Sequence, residues 1–74
     1  MANLTRKERF SREFGAALRA ARQKRNMSLR DLERASGVQY ANISRMESGA
    51  VTPRLDTAAR LAAAVQTKLA SLLP

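Results

Sequence analysis

The chain has 74 residues, 14 of them Lys or Arg against six Asp or Glu, for a formal charge of +8, and it has no Cys, His or Trp. That excludes disulfide staples, a thiolate or imidazole zinc site, and nucleophilic or acid/base chemistry built on Cys or His. The length suits one small domain, no apolar run approaches the ~20 residues of a membrane span, and the basic balance predicts an anionic partner.

Helical composition dominates. Ala contributes 14 residues and Leu nine, while Val and Ile together contribute four. Ala, Leu and Arg favour helices, whereas strands draw on β-branched and aromatic residues. The predicted class is all-α. Residues 1–30 carry nine basic and two acidic side chains, a net of +7, and the remainder is nearly neutral. Residues 1–5 read as a short flexible N-terminus and residues 6–74 as the domain.

The first predicted helix starts near Arg6, where Thr5 and Glu8 have capping-box spacing. Phe10, Phe14, Ala17, Leu18 and Ala21 then recur at helical spacing, and Phe10 and Phe14 are assigned to the core or a dimer edge. Asn26 can end the helix in a left-handed conformation. Ser28 with Asp31 predicts a second start, and Leu29, Leu32 and Ala35 supply its apolar face. Gly37 stops it. A third helix spans Gln39 to Glu47, with Val38, Ile43 and Met46 inward, and Gly49 ends it. A fourth runs from Leu55 to Val65, with Leu55, Ala58, Leu61, Ala62 and Val65 on its apolar face. A short last helix lies near Leu69 to Leu73.

Residues 28–47 form the informative unit. Two short helices joined by a tight glycine turn make a helix-turn-helix pattern, whose second helix enters the DNA major groove. With Val38, Ile43 and Met46 inward, the outer face holds Gln39, Tyr40, Ala41, Asn42, Ser44 and Arg45. Arg can hydrogen-bond guanine at two points, and Gln or Asn can do so with adenine. A solvated face usually mixes Glu and Lys, but no acid occurs between Gln39 and Met46.

The run MSLRDLERASGVQYANISRMESG, followed by TPRLDTAARLAAAV, resembles the Cro/C1-type (XRE) helix-turn-helix family of phage and bacterial regulators. Arg22, Ser28, Leu32, Gly37-Val38, Ile43, Ser44, Glu47, Gly49 and Pro53 carry the resemblance. It implies a compact five-helix, lambda-repressor-like domain that binds double-stranded DNA as a homodimer and reads a pseudo-palindromic operator. By the same resemblance Gln39, Tyr40, Ala41, Ser44 and Arg45 stand at or near base-reading positions. Ser28, Arg30, Asn42, Ser48 and Arg54 are backbone-contact candidates. Arg22 and Glu47 match a structural ion pair, and Leu69, Leu72 and Leu73 either cap the core or form a two-fold interface.

Three positions depart from the family pattern. Leu29 stands where many members place a phosphate-binding Gln, which leaves that role to Ser28 or Arg30. Glu33 replaces a frequent Ala and needs room or a partner such as a nearby Arg. Gln66 stands where Gly usually turns the chain into the last helix. The expected protein is a transcriptional regulator, a repressor, in the cytoplasm of a bacterium and encoded by it, a phage or a plasmid. It needs no metal and no cofactor and is not an enzyme. A protein partner such as a toxin or polymerase is left open, as are two alternatives: an antitoxin that also regulates its own gene, and a protein-interaction module without DNA binding.

Overall fold

The computed structural model describes residues 3–74 and holds five helices: α1 (Arg6–Lys24), α2 (Leu29–Ser36), α3 (Tyr40–Glu47), α4 (Leu55–Ala64) and α5 (Leu69–Leu72). No strand occurs among the described residues. Of the expected flexible segment at residues 1–5, the first two residues lie outside the description. Thr5 is already the N-cap of α1, its hydroxyl accepting from the Glu8 amide at 3.1 Å while the Glu8 carboxylate accepts from the Thr5 amide at 3.2 Å. Ser28 and Asp31 build the same reciprocal cap at α2, at 2.9 and 2.8 Å. Each cap satisfies amides that the first turn of a helix leaves unpaired.

The joints between helices are left-handed residues: Asn26, Gly37, Gly49 and Gln66. Gln66 has a φ of 54°, a conformation that costs a non-glycine residue about 1–2 kcal/mol. Arg25 offsets that strain. Its Nη1 donates to Gln66 Oε1 at 2.5 Å and its Nη2 to Gln66 O at 3.2 Å. The turn that usually has glycine is therefore held from the end of α1.

All five helices and the turn before α3 feed one apolar cluster. Phe14, Leu18, Leu32, Ile43, Leu61 and Val65 are fully buried within it, joined by Val38, Met46, Ala58, Ala62 and Leu72. Phe10 packs on its edge, its ring stacked on Phe14 with centroids 6.3 Å apart. α1 packs on α3 and α5, α2 on α3 and α4, and α4 on α5.

Two residues expected in apolar faces are outside. Leu55 is 71% exposed, because the first turn of α4 overhangs the core and burial begins one turn later at Ala58. Ala35 is exposed because α2 turns its Leu32–Ser36 row inward instead. The Ser36 hydroxyl is satisfied there, donating to Leu32 O at 2.6 Å and accepting from the Val38 amide at 3.1 Å.

Candidate nucleic-acid interface

The outer face of α3 follows from what anchors its inner face. Ile43 is fully buried and Met46 nearly so. Helical geometry then turns Tyr40, Ala41, Asn42, Ser44 and Arg45 outward, and all are exposed, as is Gln39 at the N-cap. The only acid of α3 is Glu47, at its last position. Arg22 neutralises it through two hydrogen bonds, Nε to Oε2 at 2.6 Å and Nη2 to Oε1 at 2.9 Å. The remaining nitrogen, Nη1, donates to Met27 O at 2.8 Å, so one guanidinium ties α1 to both flanks of the helix-turn-helix. The Glu47 hydrogen bond holds the Arg22 pKa above its ordinary value.

A second set of contacts lets α1 carry α3, and the sequence reading passed over it. Gly15 is buried in α1 directly beneath the end of α3. A Cβ there would lie 2.1 Å from Met46 O and 2.8 Å from Glu47 O. Only the absence of a side chain permits this approach. One turn earlier, buried Ser11 donates its hydroxyl proton to Lys7 O at 2.9 Å and so accepts from the Thr52 hydroxyl, at 2.7 Å, in the loop after α3. Ser11, Gly15, Leu18 and Arg22 fall on one stripe of α1. The signal available in the sequence was a glycine inside a helical apolar pattern, which marks close backbone approach.

The backbone-contact candidates sit around α3 rather than in one cluster. Ser28 caps α2, its hydroxyl accepting from the Asp31 amide at 2.9 Å. Ser48 has spent its proton on Arg45 O at 2.9 Å. Arg54, in the loop before α4, is 84% exposed, with Asp56 at 3.4 Å. Arg30 extends over the Tyr40 ring, its guanidinium carbon 3.8 Å from the centroid. Glu33 found the Arg partner it needed in Arg30, at 3.4 Å, and a second in the Tyr40 amide, at 3.1 Å. Beside the C-terminal half of α3, a cleft of about 260 Å³ is lined by Arg19, Arg22, Leu29, Ser44, Glu47 and Ser48. Leu29 gives it an apolar wall.

The C-terminal leucines divide. Leu72 is 2% exposed and belongs to the core of its own chain, so it has almost no surface to offer a second copy. Leu69 is half-buried against that core, and Leu73 is 37% exposed. No group of acidic, His or Cys side chains suited to a metal occurs among the described residues, and no described helix is long and apolar enough to cross a membrane.

The helix-turn-helix family profile matches residues 18–72. Among solved structures, the chain is 29% identical to the clp gene regulator ClgR from Corynebacterium glutamicum, covering 84% of this chain and 80% of that one with a TM-score of 0.79. It is 26% identical to the restriction-modification controller protein C.AhdI from Aeromonas hydrophila, over 84% and 94% of the two chains, with a TM-score of 0.81. It is 28% identical to the P22 c2 repressor, solved with a synthetic operator, over 81% and 91%, with a TM-score of 0.76. No curated protein matches the chain. The profile spans α2 and α3 with the end of α1, α4 and α5, and the chain belongs to the Cro/C1-type (XRE) helix-turn-helix family.

Proposed function

We propose that this chain is a sequence-specific DNA-binding regulator, a repressor, that occupies a pseudo-palindromic operator as a homodimer. The observation that carries the reading is the outer row of α3. Gln39, Tyr40, Ala41, Asn42, Ser44 and Arg45 are exposed, with no acid among them, on a helix tied to α1 by Arg22 and Gly15 and, through the loop that follows it, by Ser11. A groove-reading helix needs donors and acceptors held in fixed register, and this one has both. Its structural neighbours, a gene regulator, a controller protein and an operator-bound repressor, support the same reading.

Gln39, Tyr40, Ala41, Ser44 and Arg45 read base edges. Ser28, Asn42 and Arg54 meet the phosphates, Ser48 joins them only by turning its hydroxyl away from Arg45 O, and the +7 of the first 30 residues adds general attraction to the duplex. A two-fold dimer sets its two copies of α3 about 34 Å apart, one turn of DNA. Leu69 and Leu73 are the leucines with surface left to form its interface. Electrophoretic retardation at about 0.1 M salt, where exposed charges are partly screened, tests the reading. A fragment retained against excess non-specific competitor supports it. Retardation of every fragment alike, or of none, contradicts it.

A further inference from the structure

Gln39 gives α3 no side-chain hydrogen bond at its start. The first amides of a helix have no partner within it, and Ser, Thr, Asp or Asn normally supply one. Here the partner comes from the preceding helix. Glu33 Oε2 accepts from the Tyr40 amide at 3.1 Å. Its other oxygen lies 3.4 Å from Arg30 Nη1, and the Arg30 guanidinium covers the Tyr40 ring at 3.8 Å. The three residues form a closed circuit across the turn. The carboxylate also faces the positive end of the α3 dipole. Glu33 is only 29% exposed at its side chain, while Arg30 is 61% exposed, so the cap is the better shielded half of the circuit.

We propose that Arg30 and Glu33 are positioning residues for the reading surface. They fix the entry of α3 and hold Tyr40 with one ring face covered, so that its hydroxyl and ring edge meet the DNA. This rests on α3 being the reading helix. It also moves Arg30 off the list of phosphate contacts. A phosphate beside Arg30 would face the Glu33 carboxylate as well, and the guanidinium is already engaged by a ring and an acid.

Tyr40 is the only Tyr and there is no Trp, so tyrosine emission and the tyrosine ring signals, distinct from those of Phe10 and Phe14, report this residue. The test uses the full chain, first without DNA. Glu33→Ala speeds exchange of the Tyr40 amide roughly tenfold, whereas Glu33→Gln, which keeps an acceptor oxygen, changes it much less. Arg30→Ala shifts the Tyr40 ring-proton signals. Unchanged exchange in Glu33→Ala overturns the proposal. With a selected operator and a scrambled duplex, Arg30→Ala and Glu33→Ala each lower the ratio of affinities roughly threefold or more, and Arg30→Ala has no further effect in a Tyr40→Ala background. An Arg30→Ala effect that persists in that background, or a salt slope flattened by about one unit, makes Arg30 a phosphate contact and overturns the proposal. A wild-type chain that selects no sequence sinks the parent reading instead. The two failures are distinguishable because amide exchange is measured without DNA.

Discussion

Arg22 holds both carboxylate oxygens of Glu47, at 2.6 and 2.9 Å, with the two side chains only 12% and 8% exposed. The pair joins α1 to the last residue of α3 and so fixes the tilt of that helix, the one proposed to read DNA. Removing one member leaves the other shielded and unpaired, which costs about 3–5 kcal/mol. A chain this size has a total stability of roughly 4–11 kcal/mol. Arg22→Ala or Glu47→Ala should therefore lower the urea midpoint sharply, and Arg22→Lys, which keeps charge but loses the two-point grip, should fall between. Equal midpoints for wild type and Glu47→Ala would mean that the pair is not structural.

Gly15 makes an opposite prediction to helix propensity. On an open helix, Gly→Ala stabilises by up to about 1 kcal/mol. At Gly15 the new methyl meets two carbonyl oxygens of α3, the nearer at 2.1 Å. Gly15→Ala should destabilise by roughly 1–3 kcal/mol or more, through forced displacement of packed backbone. Thermal unfolding followed by circular dichroism measures it, and a raised midpoint would refute the close approach.

Under the proposed function, Arg45 and Arg54 make two different kinds of DNA contact. Arg45 lies on the exposed row of α3, while Arg54 stands on the loop beyond it. Arg45→Ala should cost about 1–3 kcal/mol on the preferred site and relax selection at one base position. Arg54→Ala should weaken all sequences alike and flatten the salt dependence by about one unit. Titrations at several salt concentrations distinguish them, and a reversed pattern would exchange the two roles.

Acid should loosen the helix starts. The Ser28 amide and hydroxyl bonds, with Arg34 nearby, hold the Asp31 carboxyl below its ordinary range, and the Thr5 hydrogen bonds do the same for Glu8. A depressed folded pKa stabilises above the unfolded value, near 3.9 for Asp and 4.3 for Glu. That contribution is lost as pH falls through the folded value. Stability should be flat from neutral pH to about 5 and decline below about 4. In Asp31→Asn the acid-side decline should be shallower; an identical decline would remove this cap from the account.

The caps at Thr5 and Ser28 were legible because capping boxes are local, set by residues three apart. Left-handed Asn26 and Gly37 were legible for the same reason. Leu55 and Ala35 were not: periodicity names a stripe but not where neighbouring helices stop covering it. Gly15 escaped because its meaning depends on α3 crossing over it. Glu33 was read as needing a partner, but its Tyr40 amide lies seven residues away across a turn, beyond any local rule. Of the site, the exposed row of α3 followed from the burial of Ile43 and Met46, whereas the Arg22–Glu47 pair came from family resemblance.

The most direct test of the central claim is selection of bound duplexes from a random DNA library by the wild-type chain. The account predicts an inverted repeat whose half-site centres lie about 10 base pairs apart, or a multiple of that spacing, as two symmetry-related copies of α3 require. Enrichment of no sequence, or of an unpaired half-site only, would contradict it.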